Sequence, residues 1–172
     1  MTGPVPPEPP RGSARQGAER VLAALESRGW SIATAESLTG GLLVAALVDV
    51  PGASARVRGG VVAYASDLKH SILGVDIALL DAHGPVHPDV AAQMAAGVRR
   101  VAGEDGMLAD VGLSTTGIAG PGSPDGQPVG TVHIGVSTPH GTSVGSLHLH
   151  GTRDEIRAET VVRALELALQ AL

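Results

Sequence analysis

Apolar positions in this chain follow two rhythms that take turns along it, the three-to-four spacing of helices and the short runs of strands. Val21, Leu22 and Leu25 form a helical stripe. Ser13 and Gln16 precede it in capping-box spacing, and Gly29 stands where a helix C-cap falls. Residues 30–35 (WSIATA) read as a first strand. A polar turn over residues 36–39 then enters a helix through Gly40 and Gly41, running to about residue 49. Residues 59–64 (GGVVAY) give a second strand, followed by short helical stretches over 67–73 and 77–82. Pro88 and Asp89 take the first positions of a longer helix with Val90, Met94 and Val98 along one face. Residues 110–115 (DVGLST) make a third strand, which ends in a Gly- and Pro-rich loop reaching residue 130. Residues 131–138 and 142–150 form a hairpin-like antiparallel pair. Thr152 and Glu155 make a second capping box, ahead of a last helix that turns Ile156, Val161, Leu165 and Leu169 inward.

Helix and strand alternate through most of this order. The expected fold is therefore α/β, a three-layer α/β/α arrangement around a mixed, mostly parallel sheet of about five strands. No internal repeat or linker divides the body, so residues 13–172 read as a single domain of ordinary size. Residues 1–12 are Pro-rich and aperiodic and read as a disordered tail.

Composition narrows the function. The formal net charge is -5, with one Trp, one Tyr and no Phe. Such a chain offers neither a broad phosphate-backbone surface nor stacking platforms, which excludes nucleic acid as a partner class. Without cysteine there is no disulfide, thiolate nucleophile or Cys-based metal site. His148 and His150 share a strand face, but no third ligand accompanies them and no metal is expected. The opening residues MTGPVPPEPPRGS lack the apolar core of a signal peptide, and no apolar run spans a bilayer. The expectation is a cytoplasmic protein with no membrane partner; a homo-oligomer is compatible with all of this. One count changes the picture further: of 12 basic residues, 11 are arginines and one is a lysine, Lys69. Arginine cannot replace a lysine that has to lose its proton, because guanidinium does not deprotonate in proteins.

Candidate chemistry gathers at strand ends, where open α/β sheets bind their ligands. The first site is Thr34-Ala35-Glu36-Ser37-Leu38-Thr39-Gly40-Gly41, where glycines allow close backbone approach and a helix start attracts anions. Ser37 or Thr39 fits a plain helix N-cap equally well. The second holds the only tyrosine, Tyr64, and Lys69; alone, these also read as a half-buried Tyr and a solvated Lys. The third, residues 115–122 (TTGIAGPG), suggests a backbone wrapped around a phosphate or ribose, or simply an irregular loop. The fourth places Arg153 in the first turn of the last helix, where the dipole does not favour a cation. It serves either an anionic ligand or the surface.

Four segments occur in a particular order: TAESLTGG (34–41), GGVVAY followed by LKH and LGV (from residue 59), TTGIAGPG (115–122) and PVGTVHIGV (128–136). Together they resemble the C-terminal domain of the competence/damage-inducible protein A family, which also occurs alone as nicotinamide-nucleotide amidase. The resemblance covers roughly residues 13–170. It implies hydrolysis of nicotinamide mononucleotide to nicotinate mononucleotide and ammonia by a Ser/Lys mechanism, without metal or organic cofactor. Ser37 matches the family's nucleophile, Lys69 its base, and Tyr64 and Thr116 the groups that orient the amine or relay its proton. Arg153 matches an arginine at the last helix start, although this chain has Gly-Thr-Arg where the family often has Gly-Asp-Arg. Full-length members carry an additional N-terminal molybdopterin-binding-like domain that is not among these 172 residues. On this reading, backbone amides near Thr39, Gly40 and Gly41 stabilise the oxyanion, while Gly117, Ala119, Gly120 and Arg153 hold ribose and phosphate. The implied partner is a small pyridine nucleotide. Two rivals use the same loops: a non-catalytic nucleotide-binding regulatory domain, and an amidase for another small amide.

Overall fold

The structure, a computed structural model, describes residues 13–123 and 126–172, so the tail expected over residues 1–12 lies outside the described residues. In chain order the elements are α1 (Ala14–Arg28), β1 (Ile32–Glu36), α2 (Leu42–Val48), β2 (Val57–Val62), α3 (Ser66–Ser71), α4 (Ile77–His83), α5 (Pro88–Val101), β3 (Val111–Gly117), β4 (Thr131–Thr138), β5 (Gly141–His148) and α6 (Arg153–Ala171). A single 3-10 turn at Ala53–Ala55, absent from the sequence expectation, links α2 to β2. The strands form one five-stranded sheet in the order β2-β1-β3-β4-β5. β1 pairs in parallel with β2 and β3, while β4 is antiparallel to both β3 and β5. Four strands thus point one way and β4 alone opposes them.

The sheet separates two apolar cores. On one face Ile32, Val111, Leu113, Val132, Ile134 and Val136 pack beneath α1, α2 and α6. On the other, Ala33 and Ala35 meet Leu73, Val75, Val90, Met94 and Val98. Ile32 and Ala33 are neighbours in sequence and face opposite cores, as the pleat of a strand requires. Both faces of β1 are covered, and all five of its residues are buried. This is the three-layer α/β/α arrangement expected from the alternating pattern.

Capping chemistry works where it was expected. Ser13 Oγ accepts from the Gln16 amide, and Thr152 and Glu155 form a reciprocal capping box at α6. α5 carries Pro88 at its start, and His87 caps it through Nδ1, which accepts from the Asp89 amide at 3.2 Å. The α5 backbone lies close against small residues of β3 and β4. A Cβ added to Gly112 would overlap the carbonyl of Ala95, and one on Gly135 that of Ala91. Ser114 Oγ donates to the same Ala91 carbonyl at 2.6 Å.

Candidate active site

β1, β2 and β3 run in parallel, so their carboxyl ends lie at one edge of the sheet. The residues after them line a cavity of about 380 Å³. Ser37 and Leu38 follow β1, Tyr64, Ser66 and Lys69 follow β2, and Thr116, Gly117, Ile118, Ala119 and Gly120 belong to the end of β3 and its loop. Pro85 and Val86 close one wall, and Arg153, at the start of α6, stands at another. This volume lies within the range of small-molecule sites. No carboxylate is among the lining residues, whereas Lys69 and Arg153 both are.

Lys69 is the centre of the site. It sits on the six-residue α3 and is 1% exposed, which makes it one of the largest fully buried side chains in the described residues. Its amine donates to Ser37 Oγ at 3.1 Å, to the Ala63 carbonyl at 2.8 Å and to the Tyr64 carbonyl at 3.4 Å. No carboxylate pairs with it among the described residues. Burial therefore acts unopposed and pushes the amine from its ordinary 10.5 down to about 8. Ser37 is itself buried, and its amide donates to the Thr115 carbonyl at 3.0 Å, which ties its backbone to β3.

Glu36, the residue before Ser37, plays a part the sequence reading did not give it. Its side chain is fully buried. Oε2 accepts from the amides of Gly41 at 2.9 Å and Leu43 at 3.0 Å and from Thr39 Oγ1 at 2.7 Å. Oε1 accepts from the Val44 amide at 2.8 Å. A carboxylate at a helix N-terminus is favoured by the unpaired amides and the dipole there. Gly40 and Gly41 have φ of 58° and 99°, the left-handed backbone that folds the turn back over this carboxylate. Thr39, Gly40 and Gly41 do not line the cavity: the Gly41 amide is held by Glu36, and the Gly40 amide donates to the Ser37 carbonyl at 3.1 Å. Thr39 Oγ1, having given its proton to Glu36, accepts from Thr115 Oγ1 at 2.8 Å.

Two further expected roles change. The Tyr64 hydroxyl does not reach the amine; it accepts from Arg153 Nη2 at 3.0 Å. The part of Tyr64 that the amine reaches is its backbone carbonyl, at 3.4 Å. Thr116 lines the cavity, but its hydroxyl donates to the Pro85 carbonyl at 2.7 Å and so fixes the Pro85–Val86 wall rather than the lysine. Gly117, Ala119 and Gly120 line the cavity as expected positions of a ligand loop, and the Gly120 carbonyl accepts from Arg153 Nη1 at 2.7 Å. Pro85 and Val86 fall outside all four candidate segments, whereas Glu36, Leu38, Ser66, Ile118 and Gly122 fall within them without an assigned role. Glu36 had a usable signal, an acid just ahead of a helix opened by two glycines; Pro85 and Val86 are set by the approach of a distant loop. His148 and His150, expected to share a strand face, lie edge to face with ring centroids 4.9 Å apart: His148 ends β5 and His150 lies beyond it. Among the described residues no helix is long and apolar enough to cross a membrane.

With this geometry in view, comparison with known proteins becomes specific. Residues 14–172 match the sequence pattern of the CinA C-terminal domain. A CinA-like protein of Frankia casuarinae is 51% identical over 152 residues, covering 88% of this chain and 34% of the relative. A CinA-like protein of Anaeromyxobacter dehalogenans is 46% identical over 154 residues, covering 88% of this chain and 36% of its own length. The chain thus spans about a third of the length of the curated relatives it matches. Among solved structures, competence damage-inducible protein A (ComA) of Klebsiella pneumoniae superposes with a TM-score of 0.86 at 31% identity, over 92% of this chain and 96% of that one. The competence/damage inducible protein CihA of Agrobacterium tumefaciens gives 0.84 at 35% identity, over 99% of both chains. Sequence pattern, relatives and fold converge, and the chain belongs to the CinA C-terminal domain family.

Proposed function

We propose that this protein is an amidohydrolase that converts nicotinamide mononucleotide to nicotinate mononucleotide and ammonia through an acyl-enzyme on Ser37. The observation that carries this reading is a single contact: a desolvated lysine amine 3.1 Å from a serine hydroxyl on the wall of an open cavity. A serine is a weak nucleophile until a base takes its proton. With a pKa of about 8, roughly a tenth of the Lys69 amines are neutral at pH 7, against about one in a few thousand for an unperturbed lysine.

In the first half-reaction the neutral Lys69 amine takes the Ser37 proton as Oγ attacks the carboxamide carbon. The tetrahedral intermediate collapses, the C–N bond breaks, and the nitrogen leaves as ammonia with the proton held by Lys69. In the second, water replaces ammonia: Lys69 removes its proton, the hydroxide oxygen attacks the ester carbon, and Lys69 returns the proton to Ser37 Oγ as the C–O bond breaks and nicotinate mononucleotide leaves. The substrate's phosphate has a suitable place beside Arg153, the second cation of the cavity lining, and the Gly117–Gly120 backbone. A pyridinium ring entering a cavity without carboxylates further disfavours a protonated Lys69.

The test is ammonia release from nicotinamide mononucleotide by the wild type and by Lys69→Arg, with nicotinamide riboside and free nicotinamide beside it. The variant is expected to lose at least about 10²-fold in kcat, the usual range for a positioned general base. A Lys69→Arg enzyme with near-normal turnover removes Lys69 as the base. For the wild type, kcat/KM should climb with pH and level off above about 8, as the amine loses its proton. The kcat limb should lie at lower pH than that, because the bound pyridinium favours the neutral amine.

A further inference from the structure

α6 sends a second arginine toward the site, one helical turn after Arg153. Arg157 does not line the cavity. Its guanidinium lies across the outside of the turn that carries Ser37: Nε donates to the Leu38 carbonyl at 2.9 Å and Nη2 to the Thr39 carbonyl at 3.2 Å. Gly40 continues this contact, since a Cβ there would stand 3.4 Å from Arg157 Nη2. The remaining nitrogen, Nη1, is 3.7 Å from Asp154 Oδ1. Residues 37–41 are therefore gripped from two sides. Glu36 holds the Gly41 and Leu43 amides, and Arg157 holds the Leu38 and Thr39 carbonyls.

We propose that Arg157 is a positioning residue for Ser37, one that sets the nucleophile's distance to Lys69 without touching substrate. The proposal rests on the reading of Ser37 as nucleophile. Two parallel N–H donors at guanidinium spacing meet two successive carbonyls, a match that an ammonium group cannot make. Without them the turn keeps its inner anchor but gains freedom to rotate about Ser37, and a displacement near 1 Å in a reacting atom is enough to slow a reaction about 10²-fold. Arg157 and Arg153 sit four residues apart, on one face of α6, so the same helix holds the cavity wall and the nucleophile turn.

The experiment measures two rates on Arg157→Lys and Arg157→Ala: ammonia release from nicotinamide mononucleotide, and covalent labelling of Ser37 by a fluorophosphonate probe. Arg157→Lys should lower kcat and the labelling rate together, by about 10- to 100-fold, while KM stays within about twofold of wild type. Guanidinium chloride at sub-denaturing concentration should restore labelling and turnover in Arg157→Ala but leave Arg157→Lys unmoved. Labelling at the wild-type rate in Arg157→Lys overturns the proposal. So does a rise in KM with kcat intact, which would make Arg157 a substrate contact, and so does an Arg157→Ala protein that guanidinium does not rescue. A wild type that labels at Ser37 but releases no ammonia overturns the substrate reading alone, and the labelling rates still decide on Arg157. A wild type that does not label at Ser37 overturns both.

Discussion

Lys69 holds its place at an energetic disadvantage. Between pH 8 and 10.5 the unfolded chain keeps a proton on this amine that the folded chain has lost, because burial brings the folded value to about 8. Stability therefore rises with pH across that window, and below about 8 the whole penalty is present, on the order of 3 kcal/mol. In Lys69→Met this dependence disappears. Urea unfolding of both proteins from pH 7 to 10.5 should show the wild type gaining about 3 kcal/mol relative to the variant; parallel curves would mean that Lys69 is not desolvated in solution. The same burial that weakens the fold near neutral pH raises the fraction of neutral amine, which is what the proposed base requires. Arg153 is the residue-scale counterpart for the proposed binding of the phosphate. Its guanidinium bridges the Tyr64 hydroxyl and the Gly120 carbonyl across the cavity mouth. Arg153→Gln should raise KM for nicotinamide mononucleotide by about tenfold or more with a smaller change in kcat, as loss of a charged hydrogen bond does. A KM unchanged by the substitution would place the phosphate elsewhere.

At the scale of elements, closeness of backbones governs what each helix does. The first turn of α2 carries the amides that in many α/β proteins cradle a phosphate. Here they close on Glu36, so α2 holds the Ser37 turn from inside, and the proposed phosphate site falls to α6 and the loop after β3. α5 shows the same dependence on close approach in its packing. Gly112 faces the Ala95 carbonyl with no space for a methyl group, and Ser114 already spends its hydroxyl on Ala91. Gly112→Ala should lower stability by about 1–3 kcal/mol, the range for overpacking a filled core, read as a drop in urea midpoint. A variant as stable as wild type would mean that α5 can lift from the sheet without loss. Such a lift would also move His87 and the Pro85–Val86 wall, which is joined to β3 through Thr116.

At the scale of the whole molecule, charge is arranged against the average. The chain carries a net charge of -5, yet the cavity is lined by Lys69 and Arg153 and by no carboxylate. The phosphorylated substrate proposed above would meet a local positive site on an overall negative body. KM should therefore rise with ionic strength, and the rise should flatten in Arg153→Gln, since screening weakens an exposed contact of this kind. Much of the architecture was legible in the sequence. Helical stripes such as Val21-Leu22-Leu25, the cap at Thr152 and Glu155 and the Gly-rich strand ends are local patterns, and local patterns fix element type, order and the edge of the sheet where ligands meet it. The count of a single lysine pointed to Lys69 for a chemical reason that needs no coordinates. Which partner each group would find was not legible. Lys69 meets a serine 32 residues away, Arg157 grips carbonyls 118 and 119 residues away, and Gly40 and Gly41, read as a ligand cradle, wrap a carboxylate of the chain itself. The sequence alone determined the order of elements and the inventory of reactive groups, because periodicity and turn chemistry act over a few neighbouring residues. The tertiary structure decided which amine is desolvated, which amides are already taken and which arginine faces the cavity, because burial and hydrogen-bond pairing depend on segments that only folding brings together.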